Sequence, residues 1–185
     1  VECKTNGENK KYFSSKEVLL SAGAINSPQL LMLSGIGPEN ELSKYSIEPV
    51  ECLEGVGKNL QDHLETYVQY KCKKPVTLHS AQNPLKMALI GAEWFLFKTG
   101  VAAHSNLETG GFVRSNEMSD YPNMQFHFFP SLVLDHGRKS STCHAFQAHV
   151  GPMRPTSRGS VKLKSANPND APSIQFNYMQ TEHDL

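Results

Sequence analysis

The segment from Gly23 to Gly37, GAINSPQLLMLSGIG, constrains what this chain can fold into more than any other. The apolar run Val18-Leu19-Leu20 before it predicts a short strand, and Ser21-Ala22-Gly23-Ala24 supplies a turn made only of small residues. Ser27-Pro28 reads as a helix start, residues 30–33 as its apolar body and Ser34-Gly35 as its stop. A strand that turns without bulky side chains and passes into a helix lets backbone approach a large flat ligand, and Gly23 permits a positive φ there. As local chemistry alone, the same residues also describe an ordinary strand-to-helix turn.

The rest of the chain divides by its periodicity. Residues 1–13 predict a hairpin about Asn6-Gly7, and residues 17–20 the next strand. Residues 27–34 and 38–45 predict helices, the second with proline in its first turn. Residues 47–52 predict a short strand, and Gly55-Val56-Gly57 a tight turn. After His63 the pattern changes to strict alternation over Leu64 to Cys72, the period of a half-buried strand. Residues 84–99 predict an amphipathic helix with Leu85, Leu89, Ala92 and Leu96 on one face and Gly100 as its end. Further strands are predicted over 111–114, 124–129, 145–150, 160–164 and 174–178, separated by turns rich in Pro, Asn, Asp and Gly. The fold class expected is α/β (α+β), with a boundary near His63. Residues 1–63 form one part, and residues 64–185 a second built on a mostly antiparallel sheet with packed helices.

Charge and cysteine usage narrow the function classes. Lys plus Arg and Asp plus Glu both number 18, so no basic surface points to nucleic acid. The longest apolar run, Met87 to Phe97, is broken by Gly91 and Glu93 and is too short to span a bilayer. Cys3, Cys52, Cys72 and Cys143 form no C-x-x-C pair and read as free thiols of a reducing compartment. His144 and His149 are five apart, which suits neither a helix-face nor a strand-face metal pair, so no metal is assigned. The chain lacks an initiating Met and a leader, Val1 reads as a strand end, and Thr181 to Leu185 reads as a capped helix start. An internal fragment of a longer protein is therefore expected.

Three local groups are candidates for chemistry. In Gly55 to His63 two glycines precede Asn59, Gln61, Asp62 and His63, which could hydrogen-bond a ring edge or a ribityl chain, or cap local backbone. Glu108, flanked by Leu107 and Thr109 before Gly110-Gly111, is either a solvated turn residue or a buried anion that needs a cation. A quaternary ammonium would be that cation, with aromatic faces from Trp94, Phe95, Phe112, Phe126 and Phe128 as helpers. His127, in Met124 to Phe129, is either a hydrogen-bonded structural histidine or a pocket residue. Lys162 and Lys164 share one face of their strand and read as a solvated edge.

The fifteen residues from Gly23 to Gly37 resemble the second signature of the glucose–methanol–choline (GMC) family of flavin oxidoreductases, and Gly55 to His63 resembles that family's link between flavin and substrate domains. Pro75 to Gln82, Gly91 to Trp94, Leu107 to Phe112, Asp135 to Arg138, His149 to Arg154 and Ser165 to Pro168 are similar to its choline-oxidising, mitochondrial branch. The resemblance implies part of a Rossmann-like FAD-binding domain over residues 1–63 and part of a substrate-binding domain over 64–185. It implies FAD as cofactor, with Ala22, Gly23, Ala24, Asn59 and His63 beside it. Choline is the implied substrate, with Glu108, Phe112 and His127 facing it. Oxidation to betaine aldehyde by hydride transfer to flavin, a quinone-type electron acceptor, peripheral membrane association and a place on the matrix side of the mitochondrial inner membrane are implied in the same way.

Parts of the family pattern are not in these residues. There is no Gly-x-Gly-x-x-Gly phosphate loop, and the general base is expected beyond Leu185, so no catalytic residue is assigned. The chain alone is expected to bind FAD weakly and to turn nothing over. Two other readings stand beside this one: a GMC enzyme of a neutral alcohol, which would not need Glu108 among aromatics, and an inactive truncated binding module.

Overall fold

The computed structural model describes residues 1–107, 109–135, 138–139 and 141–185. The chain forms two compact units, Val1–Gln61 with Ser157–Gln180, and Asp62–Thr156 with Thr181–Leu185. Where a single boundary near His63 is expected, the chain passes to the second unit at Gln61/Asp62, returns to the first at Thr156/Ser157 and leaves it again at Gln180/Thr181. The return has a physical cause: β10 (Gly159–Lys162) pairs antiparallel with both β5 (Lys58–Leu60) and β11 (Ser173–Gln175), so those backbones complete one ladder.

In the first unit, β1 (Glu2–Thr5) and β2 (Glu8–Lys11) form the expected hairpin. Asn6 and Gly7 turn it with φ of 53° and 85°, the pair of positive values that a two-residue hairpin loop requires. Lys11 Nζ lies 2.6 Å from Glu2 at its open end. Their hydrogen bond holds the Glu2 carboxyl below its ordinary range and the Lys11 ammonium above. The strand expected over residues 17–20 is not formed: no described strand pairs there, and Leu19 is 81% exposed. An apolar run becomes a strand only where a neighbour accepts its hydrogen bonds.

Helix α1 (Gly23–Leu33) starts four residues before the expected position and carries Pro28 inside it. Gly23, at φ 80°, replaces Ser27-Pro28 as the point of entry. The parallel pair β3 (Ile36–Gly37) with β4 (Glu51–Cys52) brackets α2 (Glu39–Leu42) and a 3₁₀ turn, Ser43–Tyr45. Their packing makes the core of this unit: Met32, Leu42 and Leu163 are buried, with Leu33, Tyr45, Ile47 and Val56 against them. Tyr45 Oη donates to the Leu163 carbonyl at 2.8 Å, so the half-buried ring packs on the core with its hydroxyl satisfied. Lys162 and Lys164 are exposed while Val161 and Leu163 are buried, the alternation expected of a strand with one wet face.

The second unit is built on an antiparallel sheet in the order β6 (Thr66–Lys71), β9 (Ala145–Pro152), β8 (Met124–Phe129), β7 (Thr109–Val113). Helix α3 (Pro84–Phe97) lies between β6 and β7 in sequence and packs on the 3₁₀ turns Leu78–Gln82 and Val101–Ala103. Its end differs from expectation: Lys98, not Gly100, takes the left-handed conformation at φ 56°, with its ammonium 4.2 Å over the Trp94 ring. The face of Leu85, Leu89 and Leu96 is exposed in this chain rather than buried. Asn83 caps the helix, its Oδ1 accepting from the Leu85 and Lys86 N–H groups at 3.0 and 3.3 Å. Asn83→Ala is expected to cost about 1 kcal/mol and Asn83→Ser almost nothing. Thermal melts of the full polypeptide check this, and equal melting of Asn83→Ala and the parent would remove the cap's role.

Candidate cofactor and substrate sites

In the first unit, α1 begins with no side-chain cap on Ala22 and no acidic residue in its first turn. The Ala22 N–H donates to Ser27 Oγ at 3.0 Å, and nothing lies within 4 Å of the position a Cβ would take on Gly23. Pro28 has no N–H, so the Ala24 carbonyl cannot receive the helical bond from residue 28. Ala24 and Pro28 form one wall of a pocket of about 310 Å³, and Gly57, Asn59, Gln61 and Val161 are among those that form the others. Two of these residues need the left-handed region, Gly57 at φ 76° and Asn59 at φ 59°. The Val161 N–H donates to the Gly57 carbonyl at 2.7 Å and fastens the turn to β10.

Of the residues expected beside a cofactor, Ala24 and Asn59 therefore line one pocket, and Ala22 and Gly23 occupy the adjoining helix start. His63 belongs to the second unit. A helix N-terminus without a carboxylate, followed by residues too small to obstruct it, favours an anion or an electron-rich ring edge through its free N–H groups. The pocket is small and takes only part of a dinucleotide.

In the second unit, strand register collects polar side chains on one face of the sheet. Tyr67 pairs with His149, and His149 with His127, so three rings stand in a row across β6, β9 and β8. The His127 and His149 rings stack at 4.6 Å and 17°, and Tyr67 lies 5.2 Å from His149. Gly110 is opposite His127 on β7 and adds no side chain against that flank of the imidazole. Glu65, just before β6, reaches into the row. Its Oε2 is 2.9 Å from His149 Nδ1 and 3.7 Å from His127 Nε2. Gln147, the next inward residue of β9, lies 2.7 Å from His149 Nε2 through its amide nitrogen.

Among the expected substrate residues, His127 lies in this row, and Phe112, paired with Gln125, is on the same face by register and exposed. Glu108 lies outside the described residues. Glu65, Tyr67, Gln147 and His149 carry no signal that marks them as a group in the sequence. The alternation over residues 64–72 places Glu65, Tyr67 and Gln69 on one side of their strand, but nothing local tells which residues of β9 face them. Glu65, His127 and His149 are the one group of three metal-ligating side chains close enough to share an ion among the described residues, with ligand atoms within 4.8 Å of one another.

Two family profiles described as GMC oxidoreductase match the chain, over residues 1–65 and 155–185. Across all of its length the chain is 58% identical to the protein named mitochondrial choline dehydrogenase of Homo sapiens, covering 31% of that protein. It is 52% identical, again over its whole length, to the oxygen-dependent choline dehydrogenase of Staphylococcus xylosus, covering 33% of it. The chain thus spans about a third of the length of these curated relatives. Among solved structures it is similar to a formate oxidase of Aspergillus oryzae in work on FAD modification, with a TM-score of 0.85 and 25% identity over 99% of this chain and 37% of that one.

Proposed function

We propose that this chain, which belongs to the GMC oxidoreductase family, is part of an FAD-dependent dehydrogenase that oxidises choline to betaine aldehyde. The observation that carries the reading is its identity of 58% and 52%, over its whole length, to two proteins named for that reaction. FAD, when bound, supplies the hydride acceptor for alcohol oxidation, chemistry that no amino-acid side chain provides. Ala22, Gly23, Ala24 and Asn59 are the residues of the first unit that would hold part of it. The fit rests on the uncapped start of α1 and on the Ala24 carbonyl freed by Pro28. His63 is proposed for the same role.

Glu108, Phe112 and His127 are proposed to face the substrate. Choline carries a permanent positive charge, so a carboxylate with aromatic faces beside it selects choline over a neutral alcohol. The general base is proposed to lie beyond Leu185. We further propose a quinone-type electron acceptor and a place at the matrix side of the mitochondrial inner membrane, the latter supported by the mitochondrial relatives from human and mouse. A peripheral membrane association is proposed with it; no helix among the described residues is long and apolar enough to cross a membrane.

Choline-dependent dye reduction tests the reading. The assay uses the full polypeptide, a simple primary alcohol as control and the 185-residue chain alone as the inactive blank. Run on mitochondrial membranes and on cytosol, it also tests the location. Activity with choline alone, in the membrane fraction, is expected. Activity with the neutral alcohol instead would keep the family and discard choline.

A further inference from the structure

Glu65, His127 and His149 have the donor types and the spacing of a two-histidine, one-carboxylate metal set. Whether they can act as one depends on which nitrogen of His149 carries the proton, and the answer lies in a chain of hydrogen bonds behind the ring. Gln147, 1% exposed, has its Oε1 against two donors. Gln69 Nε2 donates to it at 3.2 Å, and the backbone N–H of Val133 makes a short bond to it. Gln69 can turn its amide over, but a backbone N–H is only ever a donor, so Val133 fixes Oε1 as the accepting side of Gln147. The opposite side is then the –NH₂ group, which meets His149 Nε2 at 2.7 Å. An amide nitrogen donates and does not accept, so Nε2 must present its lone pair. The neutral ring carries its proton on Nδ1, which donates to Glu65 Oε2 at 2.9 Å.

We propose that Gln147 is a positioning residue that holds His149 as the Nδ1–H tautomer, and thereby keeps this triad a hydrogen-bonded support for His127 rather than a metal site. Both nitrogens of His149 are saturated, one by the Gln147 amide and one by Glu65, so the ring has no lone pair left for a ligand. A metal ion on Nδ1 requires that nitrogen to be deprotonated. The proton would move to Nε2 and face the –NH₂ of Gln147, donor against donor in a buried place. Turning Gln147 over would only carry the same conflict to Val133. Metal-bound histidines instead hand their second N–H to a carboxylate or a carbonyl, the reverse of this arrangement. What remains for His149 is to stack on His127 at 4.6 Å and fix its plane, while Gly110, opposite His127, adds no side chain there. The inference rests on these contacts alone and holds for any substrate of the full protein.

Gln147→Glu isolates the effect because it keeps the shape of the side chain. One carboxylate oxygen still accepts from Val133 and Gln69, and the other becomes an acceptor for His149 Nε2–H. The test uses the full polypeptide labelled with ¹⁵N-histidine at pH 8, the His149 signals being those lost in His149→Asn. In the parent, a protonated Nδ1 and an unprotonated Nε2 are expected; in Gln147→Glu, with a carboxylate on each side of the ring, Nε2 carries a proton donated to the new carboxylate. Co(II), followed by its visible absorption, should bind at this triad about 10- to 100-fold more tightly in Gln147→Glu than in the parent. A proton on Nε2 of the parent would overturn the proposal, as would Co(II) binding at the triad as tightly in the parent as in Gln147→Glu. If Gln147→Glu does not fold, the tautomer of the parent decides the matter by itself. No readout uses choline or a flavin signal, so failure of the proposed activity and failure of this inference are told apart.

Discussion

Gly57→Ala is expected to lower the melting temperature of the full polypeptide and to deplete its bound flavin. Gly57 sits at φ 76°, and a Cβ added there would lie 2.2 Å from the Val161 carbonyl oxygen. The left-handed conformation costs an L-residue about 1–2 kcal/mol. The clash is with backbone, so no rotamer change relieves it. Relief requires β10 to move away, which breaks the 2.7 Å bond from the Val161 N–H to the Gly57 carbonyl. A total loss of about 2–4 kcal/mol follows, in the upper range for one substitution. The walls of the pocket at Ala24 and Asn59 are set by the same turn, so the flavin content is expected to fall with the stability. Gly55→Ala is the control: that glycine has no positive φ and no atom within 4 Å of its Cβ position. Equal melting temperatures for the two variants would remove the argument from backbone approach.

Glu108→Gln is expected to raise KM for choline about 10- to 100-fold, the loss that follows when a partly desolvated cation loses its charged partner. Its effect on a neutral primary alcohol should be slight, because the carboxamide keeps the shape and changes only the charge. Steady-state kinetics of the full polypeptide with both alcohols measures the difference. Unchanged KM for choline would remove Glu108 from the substrate site. Glu65→Gln is the comparison, since Glu65 is a described carboxylate among aromatic rings in the same unit but is engaged by His149 Nδ1. A larger effect there than at Glu108 would transfer the role to Glu65.

Local chemistry makes several features legible in the amino-acid sequence. Asn6-Gly7 announces a hairpin because it supplies two residues tolerant of positive φ. The alternation of residues 64–72 announces β6, and the helical spacing of Leu85, Leu89, Ala92 and Leu96 announces α3. The features that escape such a reading depend on partners. Residues 17–20 look like a strand but have no described neighbour to pair with, whereas β5 looks like a turn and is a strand because β10 lies beside it. Helix α1 begins early because Gly23, and not Pro28, takes up the change of direction.

The candidate sites divide along the same line. Gly23-Ala24 and Gly57 to Asn59 are legible because close backbone approach demands small or left-handed residues, and such residues mark themselves in a sequence. That Ala24 and Asn59 share a pocket is decided by the pairing of β5 with β10 and the packing of α1 in the same unit. The group of Glu65, His127, Gln147 and His149 has no sequence signature at all, since its members are drawn from β8, β9 and the residue before β6, and a one-residue slip in register would turn a strand's contribution to the other face. The sequence by itself determined the family, the hairpin turn and most of the strands, because those depend on each residue's own backbone preferences and on short-range pattern. Only the tertiary structure decided which strands pair, where the chain re-enters its first unit and which nitrogen of His149 bears a proton, because each depends on a hydrogen bond whose two partners are distant in the chain.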